Sequence, residues 1–250
     1  MTKIGVVGGG QLGRMLALAG YPLGLTFRFL EPAAATPVAP LAELWPHAYE
    51  DTEALVRFVA GLDAITYEFE NVPVATARAL ACHCPVYPPP EALEASQDRL
   101  VEKTLFRELG VPVPSFVAVN SRAELEEAVA ALGLPAVLKT RRMGYDGKGQ
   151  GVLRAPEDVA TAWELLGKTP LILEGFVPFD REVSLLAVRG KEGQTAFYPL
   201  VENHHREGIL RLSLAPAPNR TPVLQAEAET YAGRILDRLN YVGVLAIEFF

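Results

Sequence analysis

Short apolar runs alternate with amphipathic segments through the first 90 residues, which is typical of a parallel α/β unit. The runs predict strands at 3–7, 25–30, 64–69 and 85–87, and the amphipathic segments predict helices after the first glycines, at 53–59 and at 74–81. The expected inner face of the first helix consists of Leu12, Met15, Leu16 and Ala19. We therefore predict a doubly wound, Rossmann-like parallel sheet.

The rest of the chain mixes both periods and predicts an α+β region. Helices are expected at 92–109, after the capping box Ser121 to Glu124, at 156–166 and after Thr221, and strands at 136–140, 171–174, 182–189, 195–200, 209–214 and 242–250. In the strand 209–214, alternation turns Leu210, Leu212 and Leu214 inward. Glycine and proline at 110–114 mark a boundary, so we predict domains at 1–111, 112–176 and 177–250. We expect the last domain to be incomplete, because its final strand pattern has nothing after it.

Composition narrows the classes of partner. The 250 residues carry 23 basic and 30 acidic side chains, a net charge of −7, which disfavours a chain-wide surface for nucleic acid or for an anionic membrane. No run of 18 apolar residues occurs, the N-terminus lacks a signal-peptide core, and Cys82 and Cys84 are too close for an ordinary disulfide. We expect a cytoplasmic protein with small-molecule partners, and no nucleic acid or membrane among its partners.

A glycine motif follows the first predicted strand. Gly8, Gly10 and Gly13 match GxGxxG, and Glu31 lies 18 residues further on, as in a dinucleotide fingerprint. The motif can hold any phosphate at a helix N-terminus, or can merely permit a tight turn. Glu68 and Glu70 end another predicted strand, where they are either solvated carboxylates or acceptors for a substrate amine or hydroxyl.

A second glycine-rich segment, LKTRRMGYDGKGQG at 138–151, is the most specific feature of the sequence. Its four glycines follow a strand, and its charged residues give +3, counted over Lys139, Arg141, Arg142, Lys148 and Asp146. Glycine lets backbone N–H groups approach phosphates, and a lysine on the strand adds a fixed charge. The segment lacks the GKS or GKT of a P-loop. It therefore predicts a polyphosphate site of another class.

Together these segments resemble the ATP-grasp superfamily, and within it the purine-biosynthetic ligases that carboxylate aminoimidazole ribonucleotide. The matching strings are GGGQLGRM at 8–15, TYEFENV at 66–72, QDR at 97–99, LKTRRMGYDGKGQG, ILEGFV at 172–177 with REVSL, FYPLVENHHREGIL at 197–210 and YVGVLAIEFF at 241–250. The resemblance implies a Rossmann-like domain followed by a two-lobed ATP-grasp unit.

The resemblance also implies site residues. The ATP-binding positions would be Arg99, Lys139, Gly144, Tyr145, Asp146, Gly147, Lys148, Gly149, Gln150, Glu174, Gly175, Phe176, Val177, Glu182 and His205. Aminoimidazole ribonucleotide would contact Gly10, Gln11, Leu12, Glu68 or Glu70, Tyr145 and Lys148, although these ligases often have arginine in place of Lys148. The catalytic side chains would be Lys148, Tyr145 and His205. Glu248 matches the first of two magnesium-binding carboxylates, and the second would follow Phe250.

The expected activity is ATP-dependent carboxylation with bicarbonate through carboxyphosphate, with ATP and magnesium as cofactors, in a homodimer. Two alternatives remain at this point. An NAD(P)-dependent oxidoreductase would explain GxGxxG and Glu31, but leaves the basic glycine segment without a role. A non-catalytic nucleotide-binding module would explain a chain that lacks the second carboxylate.

Overall fold

The computed structural model describes residues 1–144 and 148–250, which form two compact units. The first unit comprises Met1–Glu94 and Leu239–Gly243, and the second comprises Ala95–Arg238 and Val244–Phe250. Residues 95–111, which the sequence prediction placed with the N-terminal domain, group here with the second unit. Within the described ranges, no helix has both the length and the apolarity needed to cross a membrane.

The first unit contains the predicted parallel sheet. Its strands are β1 (Lys3–Val7), β2 (Thr26–Leu30), β3 (Glu43–Trp45) and β4 (Ala64–Tyr67), in the order β3-β2-β1-β4, and its helices are α1 (Gln11–Gly20), α2 (Thr52–Phe58) and α3 (Val74–Ala81). Leu55, Phe58 and Leu80 from the helices pack with Ile65 of β4 in one core. The strand expected at 85–87 is only a single parallel bridge from Val86 to Ile65. Because the strands are parallel, the segments after β1 and β4 meet at one edge of the sheet.

Helix α1 packs through small residues. Its buried positions are Gly13, Ala17 and Gly20, so the predicted inner face was wrong: Leu12 and Met15 are 59% and 62% exposed. A Cβ on Gly20 would collide with the ring of Phe27. The aromatic rings of β2 fill the space beneath the helix, so only small side chains fit on its inner face.

Arg28 is a buried arginine on β2 that links the sheet to α2. One terminal guanidinium nitrogen donates to the carbonyl oxygens of Phe58 and Ala60, at 2.6 and 2.9 Å. Its Nε lies 2.9 Å from Oε1 of Glu43 on β3. The arginine therefore satisfies the carbonyls at the end of α2 and holds the carboxylate of the edge strand.

We expect Glu43 to make the stability of this unit pH-dependent. Burial alone would raise the pKa of Glu43, but hydrogen bonds from Lys3, Trp45 and Arg28 outweigh it and lower the pKa from 4.5 to about 2. The stabilisation is therefore complete above about pH 4.5 and is lost as the pH falls toward 2. Glu43→Gln should lower the melting temperature at neutral pH, and its difference from the wild type should shrink over that acid range. A difference that stays constant over that range in thermal melts would contradict this expectation.

Two helices replace the single helix predicted at 92–109. They are α4 (Pro90–Gln97) and α5 (Arg99–Glu108). Asp98 between them has φ −129°, and its side chain accepts from the N–H of Leu100 at 3.0 Å. An extended residue whose carboxylate caps the next helix ends one helix and begins another. The QDR motif at 97–99 therefore lies at a helix junction.

The second unit begins with an antiparallel sheet. Its strands are β5 (Phe116–Val119), β6 (Ala136–Thr140), β7 (Gln150–Leu153) and β8 (Leu171–Gly175), in the order β5-β8-β6-β7, covered by α6 (Arg122–Leu132) and α7 (Asp158–Leu166). The predicted cap of α6 is confirmed, because Ser121 Oγ accepts from the N–H of Glu124 at 3.2 Å. The Glu124 carboxylate in turn accepts from the N–H of Asn120 at 2.8 Å.

A second sheet follows in the same unit. It contains β9 (Glu182–Arg189), β10 (Thr195–Phe197), β11 (Val201–Arg206), β12 (Ile209–Leu214) and β13 (Gly243–Phe249), ordered β10-β9-β11-β12 with β13 also paired to β9, and α8 (Pro222–Arg238) accompanies it. The inward leucines predicted for β12 were wrong, since Leu210 and Leu212 are 47% and 51% exposed. The reason is position: β12 is an edge strand, whereas α8 packs against β9.

Candidate functional site

Two lysines meet a buried carboxylate on the first antiparallel sheet. The register sets Val137 on β6 opposite Glu174 on β8, so Lys139 and Glu174 lie diagonally on one face. Nζ of Lys139 donates to Oε2 of Glu174 at 2.9 Å, and Nζ of Lys103 on α5 lies 3.3 Å from the same oxygen. Glu174 is 2% exposed, and no described residue donates to its Oε1. Leaving a buried carboxylate oxygen without a donor is costly, so this atom favours a ligand with a donor group.

Glu102 shares the electrostatic environment of this cluster. Burial raises the pKa of Glu102 to about 6. The positive charges of Lys103, Arg99 and Lys139 act in the opposite direction, while the negative charge of Glu174 reinforces the rise. The cluster therefore becomes more positive as the solution becomes mildly acidic.

The QDR motif holds the start of the glycine-rich segment. The backbone N–H of Arg99 donates to the carbonyl of Arg141 at 2.9 Å, and its guanidinium donates to the carbonyls of Thr140 and Gly144 at 3.0 and 3.3 Å. Asp98 accepts two bonds from the Arg141 guanidinium, at 2.9 and 2.7 Å. Burial opposes ionisation of Asp98, but these bonds outweigh it and lower its pKa. The glycine-rich segment thus starts from a fixed base at the N-terminus of α5.

These pairings reduce the positive charge available to a phosphate. The sequence count of +3 treated every basic residue of the segment as available. In the structure, Arg141 is paired with Asp98 and Lys139 with Glu174. The count therefore overstated the positive charge that a phosphate would meet. A phosphate has to compete with the Glu174 carboxylate for Lys139.

Three of the predicted site residues lie outside the described residues: Tyr145, Asp146 and Gly147. Lys148 and Gln150, which follow them, are exposed, and Gln150 pairs with Lys139 across β6 and β7. Gly149 has φ +71°, and a Cβ there would lie 2.6 Å from Oγ1 of Thr140. Glycine is thus required where the segment rejoins the sheet.

The end of β8 exposes a donor next to the buried acceptor. The N–H of Gly175 donates to Ser115 O at 2.8 Å, and that of Phe176 donates to Pro135 O at 3.3 Å. Among the described residues, none accepts from the N–H of Val177. Glu174 Oε1 and the Val177 N–H therefore offer one acceptor and one donor within four residues.

Glu182 and His205 form a pair on the second sheet. Nδ1 of His205 lies within hydrogen-bond reach of Oε2 of Glu182. The register sets Asn203 on β11 opposite Glu182 on β9, and His205, two residues after Asn203 on the same strand, lies on the same face. His204 instead contacts Glu202, with 3.1 Å between Nε2 and Oε1. Both histidines lie on β11.

Glu248 lies on β13, exposed and next to buried Ile247. In the part of the chain that the structure describes, no three His, Cys, Asp or Glu side chains are grouped to hold a metal ion, and Cys82 and Cys84 are free thiols. Magnesium often takes only one or two carboxylates together with phosphate oxygens. The donor type of Glu248 fits such a role.

The first glycine motif is occupied by a side chain of the protein itself. Glu68, which directly follows β4, accepts from the N–H of Gly10 at 2.7 Å and from that of Gly13 at 2.5 Å. The carboxylate thus lies at the N-terminus of α1, where a negative charge is stabilised. A phosphate bonded to these two groups would have to displace it.

The carboxylate of Glu31 also accepts hydrogen bonds from other groups of the protein. It accepts from the N–H of Gly9 and of Ala33, both at 3.0 Å, and from the hydroxyl of Tyr49 at 3.2 Å. Burial raises the pKa of Tyr49 well above its usual value, and the negative charge of Glu31 adds to the rise. Both Glu31 oxygens are therefore bonded within the protein, which disfavours the role on a dinucleotide ribose.

The outer part of the motif remains accessible. Gln11 and Leu12 are exposed, and no described residue accepts from their backbone N–H groups. Glu70 is exposed, and one of its oxygens accepts from Nδ2 of Asn71 at 3.2 Å. Of the two candidate carboxylates, Glu68 thus binds the glycine backbone, whereas Glu70 faces solvent.

Sequence reasoning did not name Lys103 or Asp98 as site residues, and it counted Arg141 only as positive charge available to a phosphate. Lys103 stands four residues after Arg99, a spacing that places both on one side of a helix. That spacing was a visible signal, but the carboxylate it serves is 71 residues away in the chain. Such a pair cannot be read from local patterns.

Family profiles match both units. A ribonucleotide synthetase preATP-grasp domain matches residues 1–97, and an ATP-grasp domain matches residues 104–250. These matches confirm the predicted fold class.

Curated relatives and solved structures agree with the profiles. N5-carboxyaminoimidazole ribonucleotide synthase of Pseudomonas aeruginosa is 56% identical over 248 residues, which cover 99% of this chain and 68% of the relative. The crystal structure of N5-carboxyaminoimidazole ribonucleotide synthetase from Thermus thermophilus is 59% identical, with a TM-score of 0.92, covering 99% of this chain and 67% of that one. The Aspergillus clavatus enzyme in complex with ADP and 5-aminoimidazole ribonucleotide is 27% identical, with a TM-score of 0.88, covering 100% and 66%.

The chain thus spans about two thirds of the length of these relatives. Family membership follows from two findings: profiles match both units, and one relative is more than half identical over nearly the whole chain. The chain belongs to the N5-carboxyaminoimidazole ribonucleotide synthase family of ATP-grasp proteins.

Proposed function

We propose that the protein uses ATP and bicarbonate to carboxylate the amine of 5-aminoimidazole ribonucleotide, the reaction of a C–N ligase in purine biosynthesis. The observation that carries the proposal is the buried Glu174 carboxylate, held by two lysines beside a glycine-rich segment. Family membership and the A. clavatus complex support the choice of substrates.

The acceptor Glu174 Oε1 and the donor N–H of Val177, together called the base pocket here, match one edge of adenine. The 6-amino group of adenine is a donor and its N1 is an acceptor. Glu174 Oε1 supplies the acceptor and the N–H of Val177 supplies the donor, so both find partners along one edge of the base. Guanine presents a carbonyl and an N–H at these positions, so both contacts would be mismatched.

Lys139 and Arg99 would bind the phosphates, together with residues of the glycine-rich segment. An oxygen of bicarbonate attacks the γ-phosphorus, and the bond to the β-phosphate oxygen breaks, giving ADP and carboxyphosphate. Fixed positive charge stabilises the oxygens on which negative charge accumulates. Glu182, paired with His205, would accept from the ribose hydroxyls.

The ribonucleotide would bind at the first glycine motif. Its phosphate would take the open N–H groups of Gln11 and Leu12 rather than those bonded to Glu68. Cleavage of the carbon–oxygen bond of carboxyphosphate gives carbon dioxide and phosphate. The amine nitrogen then attacks the carbon of carbon dioxide and loses a proton, giving the carbamate. Lys148, Tyr145 and His205 are the proposed catalytic side chains. The positive charge of Lys148 would stabilise the negative charge of the departing phosphate. The Glu70 carboxylate would accept a hydrogen bond from the amine or a hydroxyl of the substrate.

Three finer assignments belong to the same proposal. Magnesium would be held in part by Glu248 and would neutralise phosphate charge. The protein would act in the cytoplasm, consistent with a purine-biosynthetic role. It would assemble as a homodimer.

Nucleotide titration separates this function from its rivals. We expect calorimetry on this chain to show binding of ATP and no binding of NAD, because Glu31 is occupied by Gly9, Ala33 and Tyr49. Formation of ADP should require both bicarbonate and 5-aminoimidazole ribonucleotide. NAD binding without ATP binding would overturn the proposal, and ATP binding with no ADP formed would favour the non-catalytic module.

A further inference from the structure

Lys103 on α5 contacts the ion pair between Lys139 on β6 and Glu174 on β8. Its Nζ lies 3.3 Å from Oε2 of Glu174, the oxygen that also accepts from Lys139 at 2.9 Å. The Lys103 side chain is only 14% exposed, less than that of Lys139 at 22%. Lys103 is thus the more deeply buried of the two lysines, and the proposed reaction gives it no contact with phosphate.

The single positive charge of Lys139 would have to interact with two anionic groups. In the structure it compensates Glu174, and in the proposed reaction it binds phosphate. A buried carboxylate that loses its only cation is strongly destabilised, and it then takes up a proton or turns away. A second cation on the same oxygen removes this conflict.

We propose that Lys103 is a positioning residue for base recognition: it keeps the Glu174 carboxylate ionised and oriented while Lys139 binds phosphate, so that Oε1 remains an acceptor for the amino group of the base. This inference rests on the proposed function, because it presumes that an adenine nucleotide occupies the site. Lys103 acts through Glu174 and does not touch the nucleotide.

The charge environment supports this assignment. Glu102, the neighbour of Lys103 on α5, has a pKa that burial raises to about 6 and that the charges of Lys103, Arg99 and Lys139 hold down. Lys103 therefore acts on two carboxylates, Glu174 and Glu102. A conservative arginine could replace its charge, whereas an uncharged side chain could not.

The test compares ATP with inosine triphosphate, which carries a 6-oxo group instead of the 6-amino group. Lys103→Met should weaken ATP binding about tenfold or more, the loss of a charge-assisted hydrogen bond, and should weaken inosine triphosphate binding less than about threefold. Lys103→Arg should restore most of the preference for ATP. Lys168→Met is the matched control, because Lys168 is exposed and forms no ion pair within residues 1–144 and 148–250.

A merely structural role for Lys103 would lower the melting temperature without changing the ratio of the two affinities. An unchanged ratio in Lys103→Met would therefore overturn the inference while leaving the proposed function standing. Wild-type protein that binds neither triphosphate would overturn both. The affinities of Lys103→Met are measured at temperatures where its melting curve shows that the variant is folded. If Lys103→Met does not fold, the affinity ratio of Lys103→Arg provides the second measurement.

Discussion

Replacing Lys139 with methionine is expected to weaken ATP binding by about ten- to a hundredfold, because one charge-assisted contact to phosphate is worth roughly 1.5–3 kcal/mol. Methionine keeps most of the side-chain volume and removes the charge. Lys103 still compensates Glu174 in this variant, so the base pocket should persist. Calorimetry on the wild type and the variant measures the difference.

The effect of Lys139→Met should depend on the phosphate chain, since the lost contact is to phosphate. We expect the largest loss with ATP, a smaller one with ADP and little with adenosine. Lys168→Met, on the exposed surface, should bind all three as the wild type does. Equal losses for ATP and adenosine would place Lys139 on the base and contradict the phosphate assignment.

Replacing Glu68 with alanine is expected to produce the largest stability change in the first unit. The carboxylate accepts from the N–H groups of Gly10 and Gly13, and two such charge-assisted bonds are worth about 3–6 kcal/mol. Its loss also frees the loop that we assign to the ribonucleotide phosphate. The melting temperature should fall by about 5–10 °C, and ribonucleotide binding should weaken while ATP binding is retained.

Glu70→Ala is the matched control for Glu68→Ala. It removes the same group two residues further on, where the side chain is exposed. We expect an almost unchanged melting temperature and weaker ribonucleotide binding, measured by calorimetry with 5-aminoimidazole ribonucleotide. A large loss of stability in Glu70→Ala, or none in Glu68→Ala, would reverse the roles assigned to the two carboxylates.

The sequence predicted the order of most elements because their signals are local. Apolar runs identified β1, β6 and β9, and the Ser121 cap located α6. The inner face of α1 could not be read in this way, since it is decided by the rings of Phe27 and Phe29 on another element. Similarly, a helix break at Asp98 is encoded by one capping side chain within an otherwise helical pattern.

The sequence proposed a set of candidate site residues, but it did not reveal how these residues pair with one another. The glycine-rich segment, Glu174 and Glu182 all stand out by motif or by resemblance. The capture of Arg141 by Asp98 and of Lys139 by Glu174 needs contacts between residues 43 and 35 positions apart. A charge count along the chain cannot reveal which cations are already compensated.

Helix α5 sets a fixed distance within the proposed nucleotide site. Arg99 contacts the base of the glycine-rich segment, and Lys103, four residues later, contacts the carboxylate of the base pocket. Four residues of α-helix rise about 6 Å, so one helical turn fixes the spacing between the two contacts. A single residue inserted between them would rotate Lys103 by about 100° and separate base recognition from phosphate recognition. In the proposed nucleotide site, one turn of α5 therefore sets the spacing between the contact to the glycine-rich segment and the contact to Glu174.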